Sequence, residues 1–225
     1  MVAITWHDAH RIINSRYPFT AIFDRVADPS DLDAILELEA RTNPRVRDEL
    51  GEISLVSVED RVSGPGTTPV MASFTHTKAS RFSDGTYGVY YAAAARDTAI
   101  AETVFHLARW YRLTNEQSTD VDFRDYVATI AGRFEDIRKR NASDPIYDTD
   151  SYVTSQAFAA ALHANNVADG IVYRSVRDGQ HRHSIACFRP RNISGCRTES
   201  YLTYRWDGRE QRVTDVWTRE HLAGF

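Results

Sequence analysis

The sequence predicts an α+β fold, and three observations carry that expectation. Short stretches with the two-residue period of strands outnumber helical ones. The helical stretches fall between hairpins instead of alternating strictly with strands. No long polar linker divides the 225 residues, so we expect one domain. A hydrophobic fraction of 42% with 11% aromatics supplies a sizeable core and lies far above that of a disordered chain.

Taken in order, residues 4–16 place Trp6, His10 and Ile13 at helical spacing before Pro18 interrupts, which predicts a short helix. TAIFDRVA (20–27) predicts a strand whose period puts Phe23 and Arg25 on one side, so Arg25 is a cleft-facing candidate. Ser30 with Asp33 resembles a capping pattern ahead of an amphipathic helix through Leu32, Ile35, Leu36 and Glu39 to about Thr42, ended by Asn43-Pro44. ISLVSV (53–58) alternates like a strand, SGPGTTP (63–69) is loop by composition, and PVMASFTHT predicts another strand.

Next, Ser83-Asp84-Gly85 forms a turn into the strand YGVYYAAA (87–94), which hands over to a helix starting near Asp97 as N-cap. That helix buries Ile100, Val104, Leu107 and Tyr111, and places Glu102, His106 and Arg109 on a separate stripe nearly opposite. FRDYVATI (123–130) predicts a strand, GRFEDIRKRNASDP a charged connection, and 151–164 a helix with Val153, Phe158, Ala161 and Leu162 inward. Turns at Ala168-Asp169-Gly170 and Asp178-Gly179 bracket a hairpin of IVYRSV (171–176) and SIACFR (184–189). The tail YLTYRWDGREQRVTDVW predicts a last hairpin around Asp207-Gly208.

Composition excludes several classes. The net charge is −4, and the basic residues are 25 Arg and two Lys, Lys78 and Lys139, with no basic tail or single-sign block; nothing here is a nucleic-acid footprint. Two cysteines, Cys187 and Cys196, are too few for a disulfide framework, and a reduced, cytoplasmic protein is the simpler expectation. The first residues mix charge and His into the apolar positions, unlike a signal peptide, and no apolar run approaches the roughly 20 residues needed to span a bilayer.

The candidate chemistry centres on Ser80–Arg112. Glu102 is one turn into a helix whose preceding strand ends in aromatics, and His106, four residues on, is placed to hydrogen-bond it; a plain helical pair is the simpler alternative. Arg81, ahead of a glycine turn, is either a surface arginine or an anion clamp. Tyr90 and Tyr91 face opposite sides of their strand, and periodicity does not choose between them. Ser175 in VYRSVRDG lacks the nucleophile elbow of a serine hydrolase. His181 and His183 lack a third metal ligand at suitable spacing, and there is no P-loop or dinucleotide glycine fingerprint. A nuclease would need a metal cluster that the sequence does not offer.

These residues resemble the RES-domain family. Arg81-Phe82-Ser83 is followed by Tyr91 ten residues after the arginine, Thr98-Ala99, and Glu102 eleven after the tyrosine. Ser155-Gln156 opens a helix, and DGIVYRSVRDG looks like the family's Asp-Gly-x-x-Tyr-x-Ser segment, with Ser175 as its serine. Arg25 in IFDRVA corresponds to the family's N-terminal strand arginine. The likeness covers roughly 20–30 and 79–190, with SRFS standing where Gly-Arg-Trp-Asn is more usual. The longer spacing from Arg25 to Arg81 reads as an insertion about 30–68, and the tail as an extra hairpin about 196–220.

The resemblance implies an ADP-ribosyltransferase-like mixed β-sheet core and a toxin of a toxin–antitoxin pair, neutralised by a helix-turn-helix antitoxin occluding the active site. It implies NAD as substrate, cleaved between nicotinamide and ribose, with ADP-ribose passed to water, inorganic phosphate or a target protein. On that reading Glu102 stabilises the ribose cation, Arg81 and Arg25 clamp the diphosphate, Tyr91 stacks on nicotinamide, Ser175 bonds the ribose or fixes Glu102, His106 supports the site, and no metal is required. An ADP-ribosyltransferase acting on a protein, and a non-catalytic binding module in which Arg81 and Glu102 form an ion pair, are the alternatives.

Overall fold

A computed structural model describes residues 1–16, 23–25 and 51–219, with Arg25 described by its backbone alone. Among these residues the fold is α+β: a mixed seven-stranded sheet with three helices. The strands are β1 (Val2–Asn14), β2 (Tyr90–Ala93), β3 (Thr119–Asp136), β4 (Gly170–Arg174), β5 (His183–Cys187), β6 (Ile193–Asp207) and β7 (Arg212–Arg219). The helices are α1 (Thr68–Thr75), α2 (Arg96–Thr114) and α3 (Val153–Ala164). The order across the sheet is β1-β2-β5-β4-β3-β6-β7, and a further β1–β3 pairing brings the first five strands round into a closed circuit.

β3 is the spine. It pairs antiparallel with β1 from Val2↔Phe134 to Asn14↔Phe123, antiparallel with β6 from Thr119↔Trp206 to Ile130↔Ile193, and parallel with β4 from Phe134↔Gly170. Its length absorbs FRDYVATI and the first residues of what the sequence suggested was a charged connection. Pairing on both edges satisfies backbone groups that the polar side chains of that stretch disguised.

The expected N-terminal helix is instead β1. A register shift between Trp6 and Ala9 breaks its alternation, so Ile4, Ala9 and Ile12 are the buried positions and no period of two runs through it. PVMASFTHT, read as a strand, is the helix α1. It is apolar nearly all round and buried, so neither period shows in its sequence. Its start is held by the Asp24 carboxylate, which accepts from the Thr68 N–H (2.8 Å), the Thr68 hydroxyl (2.7 Å) and the Gly66 N–H (3.0 Å). Asp24 belongs to a single 3₁₀ turn, Phe23–Arg25, where a strand was expected. ISLVSV likewise forms two 3₁₀ turns, Ile53–Leu55 and Val58–Asp60, with Arg61 Nε bonded to the Val56 carbonyl at 3.0 Å. The expected helix over about 30–42 lies outside the described residues.

Among the described residues three apolar clusters form the core. One, around Phe23, Met71, Phe74, Tyr90, Ile130 and Phe134, packs α1 on the sheet. A second joins Phe82, Tyr87, Ile146, Ile171 and Tyr173, with Phe158 and Leu162 of α3 partly buried against it. The third places Leu107 of α2 on Phe123, Leu202 and Tyr204. Both expected hairpins form, β4–β5 and β6–β7.

α2 begins two residues earlier than expected, with Ala95 as N-cap in place of Asp97, which lies inside the first turn, and it ends at Asn115 in the left-handed region (φ 50°). α3 departs from its predicted face: Val153 is 72% exposed and Ala161 is exposed, while Ser155 and Ala159 are buried. The reason is polar. Ser155 Oγ donates to the Arg81 carbonyl (2.6 Å), and Gln156 Nε2 to the carbonyls of Ser80 (2.9 Å) and Ser83 (3.1 Å), so this face grips a loop instead of presenting only apolar atoms.

Candidate active site

The loop that α3 grips carries Arg81. Ser80 N–H donates to the Ser83 carbonyl at 2.7 Å, closing a tight turn. Tyr91 on β2 aims its hydroxyl into that turn, bonding Ser80 Oγ (2.9 Å) and accepting from the Phe82 N–H (2.9 Å). Burial pushes the Tyr91 phenol up to about 12, against those two bonds and Arg81, so it stays protonated. Its neighbour Tyr90 is fully buried under the Arg11 guanidinium, 4.7 Å from the ring centre, and belongs to the core. The turn thus leaves the Arg81 side chain one direction: Nη1 donates to the carbonyls of Ile146 (3.2 Å) and Asp148 (2.9 Å), with the guanidinium over the Tyr152 ring at 4.8 Å.

Glu102 lies on the second turn of α2, half-buried, and accepts from Ser175 Oγ at 2.6 Å. Ser175 sits just past the end of β4 and is fully buried. Its oxygen accepts from the N–H groups of Arg177 (3.1 Å) and Asp178 (3.0 Å), which directs the single hydroxyl proton at Glu102. The Glu102 carboxyl is raised above its ordinary value, by desolvation first, while the Ser175 bond, Arg81 and Arg177 pull the other way.

Asp178 fixes the distance between α2 and the β4–β5 connection. Its carboxylate accepts from Thr98 Oγ1 of the first turn of α2 (2.7 Å) and from Arg182 Nε (2.7 Å), while Arg182 Nη1 reaches Asp97 at 3.1 Å. Arg182 and the Thr98 hydroxyl hold the Asp178 carboxyl far below the usual carboxylate range.

Of the residues singled out from sequence, the structure brings Glu102, Ser175, Arg81 and Tyr91 into one neighbourhood. His106 is on its rim, exposed, edge-to-face with Phe105 at 5.3 Å between ring centres, and the expected hydrogen bond to Glu102 does not form. The i+4 stripe holds, but Glu102 turns towards Ser175. Partial desolvation, then Arg177, Arg109, Lys78 and Arg81, hold the His106 imidazole down at about 4, so it is neutral at pH 7. The Arg25 side chain lies outside the described residues.

Arg177 and Asp178 were read from sequence only as parts of a motif and a turn. Arg177 stacks its guanidinium on Phe105, 3.4 Å from the ring centre, and its charge reaches both Glu102 and His106. Its place two residues after Ser175 in the same segment was the signal that could have found it.

Among the described residues no group of three His, Cys, Asp or Glu is arranged to hold a metal ion. Cys187 and Cys196 are free and buried, their thiols pushed up by burial to about 12 and about 11. No helix among the described residues is long and apolar enough to cross a membrane.

The chain is similar to the uncharacterized protein y4oC of Sinorhizobium fredii (strain NBRC 101917 / NGR234), 28% identical over 133 residues, 58% of this chain and 56% of that protein. The chain therefore spans about half the length of that relative. A protein-family model described as the RES domain matches residues 58–207, a stretch that holds Arg81, Tyr91, Glu102, His106, Ser175 and the whole of both hydrogen-bond networks around Glu102. That match covers more than half of the chain, and the chain belongs to the RES-domain family.

Proposed function

We propose that this protein consumes NAD by breaking the bond between nicotinamide and ribose, as the toxin half of a toxin–antitoxin pair. At family level, RES domains are associated with NAD-acting enzymes of such pairs. The observation that carries the reading here is the 2.6 Å bond from Ser175 Oγ to Glu102, which fixes one rotamer of a desolvated carboxylate that feels two arginines. A structural ion pair is the plainer use for such a carboxylate, yet among the described residues neither Arg81 nor Arg177 pairs with it within 4.0 Å.

The chemistry follows from those groups. As the C1′–N bond lengthens, its electron pair leaves with nicotinamide and the ribose gains oxocarbenium character. Ionised Glu102, held beside that carbon, stabilises the developing positive charge, and burial strengthens the effect because less water screens it. Water or inorganic phosphate then bonds to the anomeric carbon, and Glu102 is placed to take the proton that an attacking water loses. Arg81 holds the diphosphate, and Tyr91, its hydroxyl engaged in the Ser80–Phe82 turn, offers its ring to nicotinamide. The sheet with its circling strands serves as an ADP-ribosyltransferase-like scaffold, and the partner is a helix-turn-helix antitoxin that covers the cleft.

Nicotinamide release from NAD by the purified full chain tests this. Glu102→Gln keeps an acceptor for Ser175 and removes the charge, so release falls by about 10²–10³. Unchanged release in that variant, or none from the wild-type chain freed of any partner, overturns the reading. The acceptor is read in the same assay: ADP-ribose accumulates without phosphate if water suffices, a phosphorylated ADP-ribose appears only with phosphate, and labelled protein marks a transferase.

A further inference from the structure

We infer that Arg177 is the second guanidinium of a two-arginine clamp for a nucleoside diphosphate, standing beside Arg81. The inference deepens the proposed function and rests on it for the identity of the substrate.

Both arginines are seated on one short segment. Arg81 Nη1 bonds the carbonyls of Ile146 and Asp148, and Arg177 Nη2 bonds that of Thr149 at 2.9 Å. The segment opens as a 3₁₀ turn, Pro145–Tyr147, whose start is capped by the Asp144 carboxylate accepting from the Ile146 N–H at 3.0 Å. The following residues are pinned by the Asp148 carboxylate, which accepts from the N–H groups of Asp150 and Ser151. A ridge of carbonyls on a braced turn therefore fixes the spacing between two guanidiniums. Each is also stacked on an aromatic ring, Arg81 on Tyr152 and Arg177 on Phe105. Little rotamer freedom remains to be lost on binding.

Neither charge is cancelled. Among the described residues no carboxylate lies within 4.0 Å of either guanidinium, whereas Arg96 has Asp125 and Arg189 has Asp60. Arg11 and Arg174 also sit on a carbonyl and a ring without one, but their charge does not reach Glu102 as that of Arg81 and Arg177 does. The Asp148 carboxylate feels Arg81 only from beyond ion-pair distance. The bonds to the segment use one nitrogen of each guanidinium, and the remaining nitrogens are not among the buried atoms left without partners, so they reach solvent. Neutral carbonyls and rings orient these arginines without neutralising them, which leaves planar forks free for the four outer oxygens of a diphosphate. Glu102, whose carboxyl feels both arginines, is bonded by Ser175 and is where the cation forms on the proposed reading.

Two substitutions separate this from a structural role. Arg177→Gln keeps a donor for the Thr149 carbonyl and loses the charge, and Arg177→Lys keeps the charge and loses the fork. Calorimetric titration of the full chain with ADP and, separately, with adenosine is the measurement. The clamp predicts that wild type prefers ADP to adenosine, that Arg177→Gln weakens ADP by about tenfold or more while adenosine is unaffected, and that Arg177→Lys falls between. ADP binding unchanged in Arg177→Gln, an equal loss for ADP and adenosine, or no preference for ADP in wild type overturns it. Nicotinamide release from NAD, read alongside, keeps the two ideas apart. Arg177-dependent ADP binding in a chain that never cleaves NAD leaves the clamp standing and removes the proposed reaction. Cleavage with ADP affinity indifferent to Arg177 does the opposite.

Discussion

Glu102 is held against its own ionisation. Desolvation raises its carboxyl above the ordinary 4.5, and the Ser175 hydroxyl and two arginines offset that only in part. A carboxyl whose folded value is raised costs nothing below its unfolded value, and the cost grows as the pH rises from there through the folded value. At neutral pH the ionised carboxylate therefore weakens the fold, and Glu102→Gln removes the cost while keeping the Ser175 bond. The thermal midpoint of that variant should exceed wild type by roughly 2–4 °C at pH 7.5, the response of a chain of this size to a modest gain. The gain should fade towards pH 4, where Glu102 is protonated in both folded and unfolded states. A midpoint equal to or below wild type at pH 7.5, by calorimetry, would show that the carboxylate is structural. His106 and Tyr91 show the complementary point about single residues. Their positions were legible, but the bonds they make were not, because a spacing of four or ten residues states who can be near and not which rotamer wins.

At the scale of elements, the Arg81 turn is positioned by α3 and β2 together, through Ser155, Gln156 and Tyr91. Helix α3 was recognisable from its pattern, and Phe158 and Leu162 do face the core, but Val153 and Ala161 do not, because Ser155 takes a buried place against the Arg81 turn. Buried polar groups that each meet a backbone partner can face inward. Gln156→Ala removes two bonds to the turn and leaves the apolar contacts of Phe158 and Leu162 in place. We expect KM for NAD to rise about tenfold through misplacement of Arg81, with a smaller change in kcat. An unchanged KM in steady-state nicotinamide release would mean that the turn holds its shape without α3. The same lesson covers α1: an apolar run with no period cannot be assigned by pattern, and its helical state was settled by the Asp24 carboxylate arriving from more than forty residues away.

For the whole molecule, the junction of β1, β3 and α2 is closed by a fully buried carboxylate, Asp125. It meets His10 Nδ1 at 3.1 Å and Arg96 Nε at 3.3 Å, so one side chain ties the first strand, the central strand and the start of the Glu102 helix. Asp125→Ala removes the shared partner of His10 and Arg96, though Arg96 Nη2 keeps Ser200 and Thr218, and should cost about 2–3 kcal/mol in chemical denaturation, whereas a loss under 1 kcal/mol would show that the sheet closes without it. This junction also marks the division between what the chain's pattern determined and what tertiary contact decided. The α+β class, the two hairpins and the Glu102 helix were readable in the sequence, and the family resemblance singled out Glu102, Arg81, Tyr91 and Ser175, which the structure places near one another. They depend on turn residues, local periodicity and motif spacing, which act over a few residues at a time. The strand state of β1, the helical state of α1, the polar inward face of α3 and the seating of Arg177 and Arg81 on one segment were not. Each depends on a partner far along the chain, and only folding brings together β3 with β1, Asp24 with Thr68, Ser155 with Arg81, and Thr149 with Arg177. Local preference is worth fractions of a kcal/mol per residue, and a buried hydrogen bond or a fully paired strand edge outweighs it.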